Sequence, residues 1–101
     1  MKLFLISLEV SSERLATVSN VIRGAKAWWH HIEDTWIIAT NKSLEDWKNA
    51  IRNVIDDQDS FLIVEITGCA RNGWLPKDAW IWLRDRNAEC GQGKSHVENP
   101  R

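Results

Sequence analysis

The sequence predicts an α+β domain of the split βαβ type, and three observations carry that prediction. Four short runs of apolar and β-branched residues are interleaved with two stretches of helical periodicity. Their order along the chain is β-α-β-β-α-β. The 101 residues make one domain's length, with no room for a second core.

Lys2 to Val10 reads as the first strand, with β-branched Ile6 and Val10 in an apolar run. Ser11 and Ser12 offer N-caps for a helix whose inner face is Leu15, Val18, Ile22 and Ala25. Glu13, Arg14, Ser19, Asn20 and Arg23 fall on its outer side, and Gly24 suits its end. Ala27–Glu33 and Thr35–Thr40 form two strands rich in Trp, Ile and Thr, with Glu33-Asp34 as the tight turn between them. Ser43 caps a second helix with acids in its first turn, and Leu44, Trp47, Ile51, Val54 and Ile55 form its apolar face. Asp56, Asp57 and Asp59 end that pattern before the clearest strand, Phe61–Thr67. After a loop over Gly68–Gly73, Pro76 opens a short third helix through Trp80, Trp82 and Leu83 to about Arg86. The domain is thus 1–86, and 87–101, with Gly91, Gly93 and Pro100, is expected to be a flexible tail.

Right-handed crossovers make strands one and two parallel and leave a gap that strand three fills by hairpin. Applied again to the second half, this handedness gives an antiparallel sheet of order 4-1-3-2 with the first two helices on one face, a ferredoxin-like sandwich. The order gathers Glu9, Glu33, Asp34, Asp56, Asp57 and Asp59 at one end of the sheet, and Lys2, Arg23, Lys26, Lys42 and Arg71 near the other. The net charge of −1 thus conceals an expected dipolar surface. Strand alternation also makes both sheet faces apolar: Phe4, Ile6 and Leu8 on one, Leu3 and Leu5 on the other. Two helices cover only one face, so the second needs a cover. The tryptophan-rich C-terminal helix, a second copy in a homodimer, or a nucleic acid are the candidates.

No apolar run is long enough to span a bilayer, and the opening run lacks the features of an export signal, so a cytoplasmic protein with no membrane association is expected. Cys69 and Cys90 make no CxxC and have no histidine spaced to complete a zinc site, so two reduced thiols are expected. His30 and His31, adjacent on a strand, point to opposite faces and do not chelate one ion. No nucleophile elbow or P-loop is present. Seven tryptophans against two phenylalanines and no tyrosine supply large contact areas for a core or an interface. The acidic end offers carboxylates for a divalent cation, Mg²⁺ or Mn²⁺, or simply soluble turns.

The runs Leu3–Val10, Glu33–Thr40 and Asp59–Ile66 resemble a family of small ferredoxin-fold proteins, the SinR-like proteins and relatives of the small CRISPR adaptation subunit (Cas-two). The likeness covers roughly residues 2 to 67. It implies a homodimer, and in that family an aspartate ending strand one lets paired copies share a metal for RNA or DNA cleavage. Glu9 stands at that position here. The leading expectation is a homodimeric interaction or scaffold module with a possible protein partner. The enzymatic alternative is a Mg²⁺- or Mn²⁺-dependent endonuclease with Glu9 as catalytic residue and Glu9, Asp34, Asp57 and Asp59 as metal ligands. A non-catalytic RNA-binding module is the third alternative.

Overall fold

The central strand of the sheet, β1 (Lys2–Glu9), alternates so that Phe4, Ile6 and Leu8 are buried toward one side while Leu3 is buried toward the other. Around it the computed structural model, which describes residues 1–90 and side chains through Arg86, arranges six further elements. They are α1 (Ser12–Ile22), β2 (Ala27–Ile32), β3 (Thr35–Thr40), α2 (Leu44–Arg52), β4 (Ser60–Glu65) and α3 (Lys77–Cys90). The strands pair antiparallel in the order β2-β3-β1-β4, the order expected from crossover handedness, counted from the opposite edge.

The first core lies under α1 and α2, where Val18, Ile22, Trp47 and Ile51 meet Phe4, Ile6, Trp36 and Ile38. Trp47 donates its indole N–H to the Thr40 hydroxyl at 3.0 Å, so the largest residue of α2 is buried without an orphaned donor. Ser43 forms a full capping box with Asp46, as its position predicts. Two expected core residues are on the surface instead: Leu15 of α1, 45% exposed, and Leu44 of α2. On an ideal helix Leu15 falls angularly between Ile22 and Ser19, both buried. Its level in the first turn, not its direction, therefore exposes it, and Ser19, expected outside, takes the inward place.

The hairpin turn is Glu33-Asp34, as the spacing predicts. Two-residue hairpins favour turns with positive φ, but no residue other than glycine has positive φ among the described residues. The mismatch is absorbed in β2, whose pairing with β3 shifts register between Trp29 and Ile32. The bulge sits at the two histidines.

The second core lies on the opposite side of the sheet, where Leu75, Ala79, Trp80 and Leu83 cover Leu3, Trp29, Ile37 and Ala39. Pro76 stands just before α3, and its carbonyl accepts from Ala79 and Trp80 at 3.1 and 3.4 Å. The indole N–H of Trp29 donates to the Ala79 carbonyl at 3.2 Å in a buried bond between β2 and α3. Burying a leucine-sized side chain contributes roughly 1.5–3 kcal/mol, against about 1 kcal/mol for one hydrogen bond. Apolar contact therefore holds α3 down, and the Trp29 bond sets where along the strand it sits. The helix runs past its expected end near Arg86 to Cys90; the remainder of the expected tail, 91–101, lies outside the described residues.

Candidate functional site

Glu9 ends β1 opposite Ser60, and Asp34 occupies the hairpin turn, where its carbonyl accepts from the Leu8 amide at 2.9 Å. Both carboxylates line one shallow surface depression, with Ser7, Ser60 and Leu62 beside them. Asp57 and Asp59 line a different depression with Arg52. The four expected ligands therefore form two pairs, and among the described residues no group of three or more His, Cys, Asp or Glu is placed to hold one metal ion.

Asp59 is occupied on both oxygens. Oδ1 accepts from the Ser11 amide at 3.1 Å, and Oδ2 accepts from the Asp56 amide at 3.0 Å and from Arg14 Nε at 2.7 Å. Its side chain is only 4% exposed. The Asp56 amide first, then the Arg14 guanidinium, hold its carboxyl below the usual aspartate range, while the bond to Asp59 raises Arg14. A cation binding here would have to displace Arg14. Asp57 is paired with Arg52, and Asp56 lies 3.6 Å from Arg14.

The acidic end of the expected dipolar surface is thus partly offset by arginines. Arg14, placed outside by helical periodicity, reaches the loop before β4 and meets Asp56 and Asp59 there, while Arg52 pairs with Asp57. At the other end, Arg23 lies 5.4 Å and 5.5 Å from the Trp28 and Trp36 rings, and Lys42 lies 5.8 Å from the Trp47 ring. His30 stacks on Trp36 at 3.8 Å and donates Nε2–H to the Glu33 carbonyl at 2.8 Å. His31 meets Trp29 edge-on from the other face, 5.0 Å away. The histidines thus occupy opposite faces, as alternation predicts, and each packs on an indole.

The most distinctive surface is at β4. Phe61 and Ile63 pack into the first core, while Leu62, 60% exposed, and Val64, 42% exposed, point to the side that carries α3. The α3 cluster draws its sheet residues from β1, β2 and β3 and stops short of them. Among the described residues β4 pairs only with β1, and its outer edge meets no other strand of the sheet. Its sequence Ser-Phe-Leu-Ile-Val-Glu contains neither the lysine nor the proline with which natural edges are blunted. Around the edge, exposed Leu44 lines a depression with Phe61, Leu62 and Ile63, flanked by the charged Glu45 and Lys48 of α2. Sequence alternation revealed the apolar residues of β4 but not that α3 would leave them uncovered.

No helix among the described residues is long and apolar enough to cross a membrane. Comparisons with protein-family models, curated proteins and solved structures each return no match.

Proposed function

We propose that this chain is a small interaction module of ferredoxin-like fold that forms a homodimer through β4. One observation carries the reading: an apolar edge strand with no further strand beside it among the described residues, whose Leu62 and Val64 side chains are exposed. Such an edge is a template for a further strand, and isologous pairing of two copies satisfies both at once. The strand order and the placement of α1 and α2 on one face support the ferredoxin-like assignment, and the resemblance to the Cas-two-like class supports a paired assembly. Light scattering after size exclusion tests it. The expected result is twice the chain mass for the wild type and a monomer for Leu62→Lys/Val64→Lys with unchanged circular dichroism. A wild-type chain that stays monomeric up to about 1 mM, the concentration scale of weak association, overturns the reading.

A metal-dependent endonuclease is the second reading, favoured by Glu9 and Asp34 sharing one exposed depression. Mg²⁺ keeps several waters and needs only one or two protein carboxylates alongside substrate phosphates. The two residues would hold the ion and leave Asp57 and Asp59 to their arginines. Cleavage of short RNA or DNA that requires Mg²⁺ or Mn²⁺ and is lost in Glu9→Ala would establish it. The RNA-binding alternative is weakened by α3, which lies over the part of the sheet where bases would stack.

A further inference from the structure

The segment joining β4 to α3 begins at Gly68, whose φ of 69° allows a reversal in which the Cys69 amide donates to the Ile66 carbonyl at 3.0 Å, a bond of the β-turn type. Beyond it the chain passes through Asn72 and Gly73 and re-enters the second core at Leu75. Asn72 is exposed, and its Oδ1 accepts from the Gly73 amide at 2.7 Å. The side-chain carboxamide is thus folded back onto the next peptide nitrogen. Because Cγ carries Oδ1, the same contact brings Cγ toward the separation of about 3–3.5 Å at which intramolecular attack is favoured.

The other asparagines are placed differently. Asn20, Asn49 and Asn87 lie within α1, α2 and α3, where the following amide belongs to the helical ladder. The amides after Asn41 and Asn53 are directed elsewhere, Lys42 to the Thr40 hydroxyl and Val54 to the Ile51 carbonyl, each at 3.0 Å. Asn99 precedes Pro100, which has no N–H. Asn72 alone precedes a glycine, so no Cβ shields the nitrogen.

We propose that Asn72-Gly73 is a modification site at which the folded chain converts its own asparagine to aspartate and isoaspartate, with water as the only co-reactant. The Gly73 nitrogen gives up its proton and bonds to Asn72 Cγ; the Cγ–Nδ2 bond breaks, and the nitrogen leaves as ammonia. Water then opens the cyclic imide at either carbonyl. Opening at Cγ leaves aspartate in an unchanged backbone. Opening at the main-chain carbonyl leaves isoaspartate, with Cβ inserted into the backbone just before Leu75. No electrons are transferred. Either product adds one negative charge to a chain whose formal net charge is −1. The site is separate from the β4 edge and does not depend on dimerisation.

Incubating the full chain in mildly alkaline ¹⁸O-labelled water, followed by tryptic digestion and mass spectrometry, tests the proposal. Heavy oxygen is expected in peptide 72–77 before any other asparagine peptide, as two chromatographically separate products, aspartate and isoaspartate. Gly73→Ala is the control variant: a Cβ there meets the Trp80 ring at 3.6 and 3.7 Å, ordinary contact, and Gly73 is not at positive φ. It should keep the wild-type circular dichroism and react about tenfold more slowly, because the methyl hinders approach of the nitrogen. The proposal fails if wild-type Asn72 takes up label no faster than the other asparagines, if aspartate forms without isoaspartate, or if folded Gly73→Ala reacts at the wild-type rate.

Discussion

Two serines precede two helices, and they do opposite things. Ser43 accepts from the Asp46 amide at 3.0 Å and completes a capping box. Ser11 makes no side-chain cap; its amide donates to Asp59, and its hydroxyl is buried without a partner among the described residues. Ser43→Ala should therefore cost about 0.5–2 kcal/mol, while Ser11→Ala should be neutral or slightly stabilising because it removes an unsatisfied group; urea denaturation of both checks the contrast. Asp59, which takes over the capping of α1, also gives stability a pH dependence. Its folded pKa is lowered, so its contribution is complete above the ordinary aspartate value of about 3.9. It is lost as pH falls through that value toward the lowered one. Asp59→Asn should be less stable than wild type at pH 7 and should flatten the fall in melting temperature across that acidic window. Parallel wild-type and variant slopes would mean that other groups dominate. The sequence displayed both serines and the aspartates as turn and cap residues. It could not display that Arg14 meets Asp59, because helical periodicity sorts a side chain only as inside or outside its own helix.

At the scale of elements, the strands and helices were readable where a local rule governed them. Glu33-Asp34 as the turn and Ser43 as the start of α2 follow from spacing and residue type alone. The bulge in β2 was not readable: it arises because a turn lacking glycine keeps negative φ, and the strand compensates. Leu15 and Leu44 were misassigned because periodicity gives direction around a helix but not whether anything lies opposite at that level. The docking of α3 rests on Trp29, which contributes both a ring to the second core and a donor to Ala79. Trp29→Phe keeps an aromatic ring and should cost about 0.5–1.5 kcal/mol, whereas Trp29→Ala should cost about 3–5 kcal/mol. Denaturation midpoints of the two variants separate donor from ring; equal losses would show that the bond, not the packing, seats the helix.

For the whole molecule, the sheet order and the existence of two apolar faces followed from crossover handedness and strand alternation. That a cover was required followed too, since large bare apolar faces are rare. How far the cover extends did not, because it depends on where Gly68 turns the chain and where Trp29 anchors α3. Those long-range contacts leave Leu62 and Val64 outside the cover among the described residues, and the proposed pairing through β4 arises from that incomplete fit. The acidic end shows the converse. Its charge was legible, but folding brings Arg14 and Arg52 to it and leaves Glu9 and Asp34 as the carboxylates sharing the remaining depression.

The register shift in β2 bears on how many copies can assemble. β2 and β4 are the two outer strands, but β2 is bent by its bulge and flanked by an indole and imidazole stack closed by Arg23. A kinked edge pairs poorly with a straight one. On the proposed pairing the chain would therefore have a valence of one: β4 takes a single neighbour, and among the described residues no equivalent edge remains on the far side to continue the series. If the proposed pairing through this edge holds, it terminates at a pair instead of growing into a ribbon, and raising the concentration should move the mass from one chain to two and then leave it there.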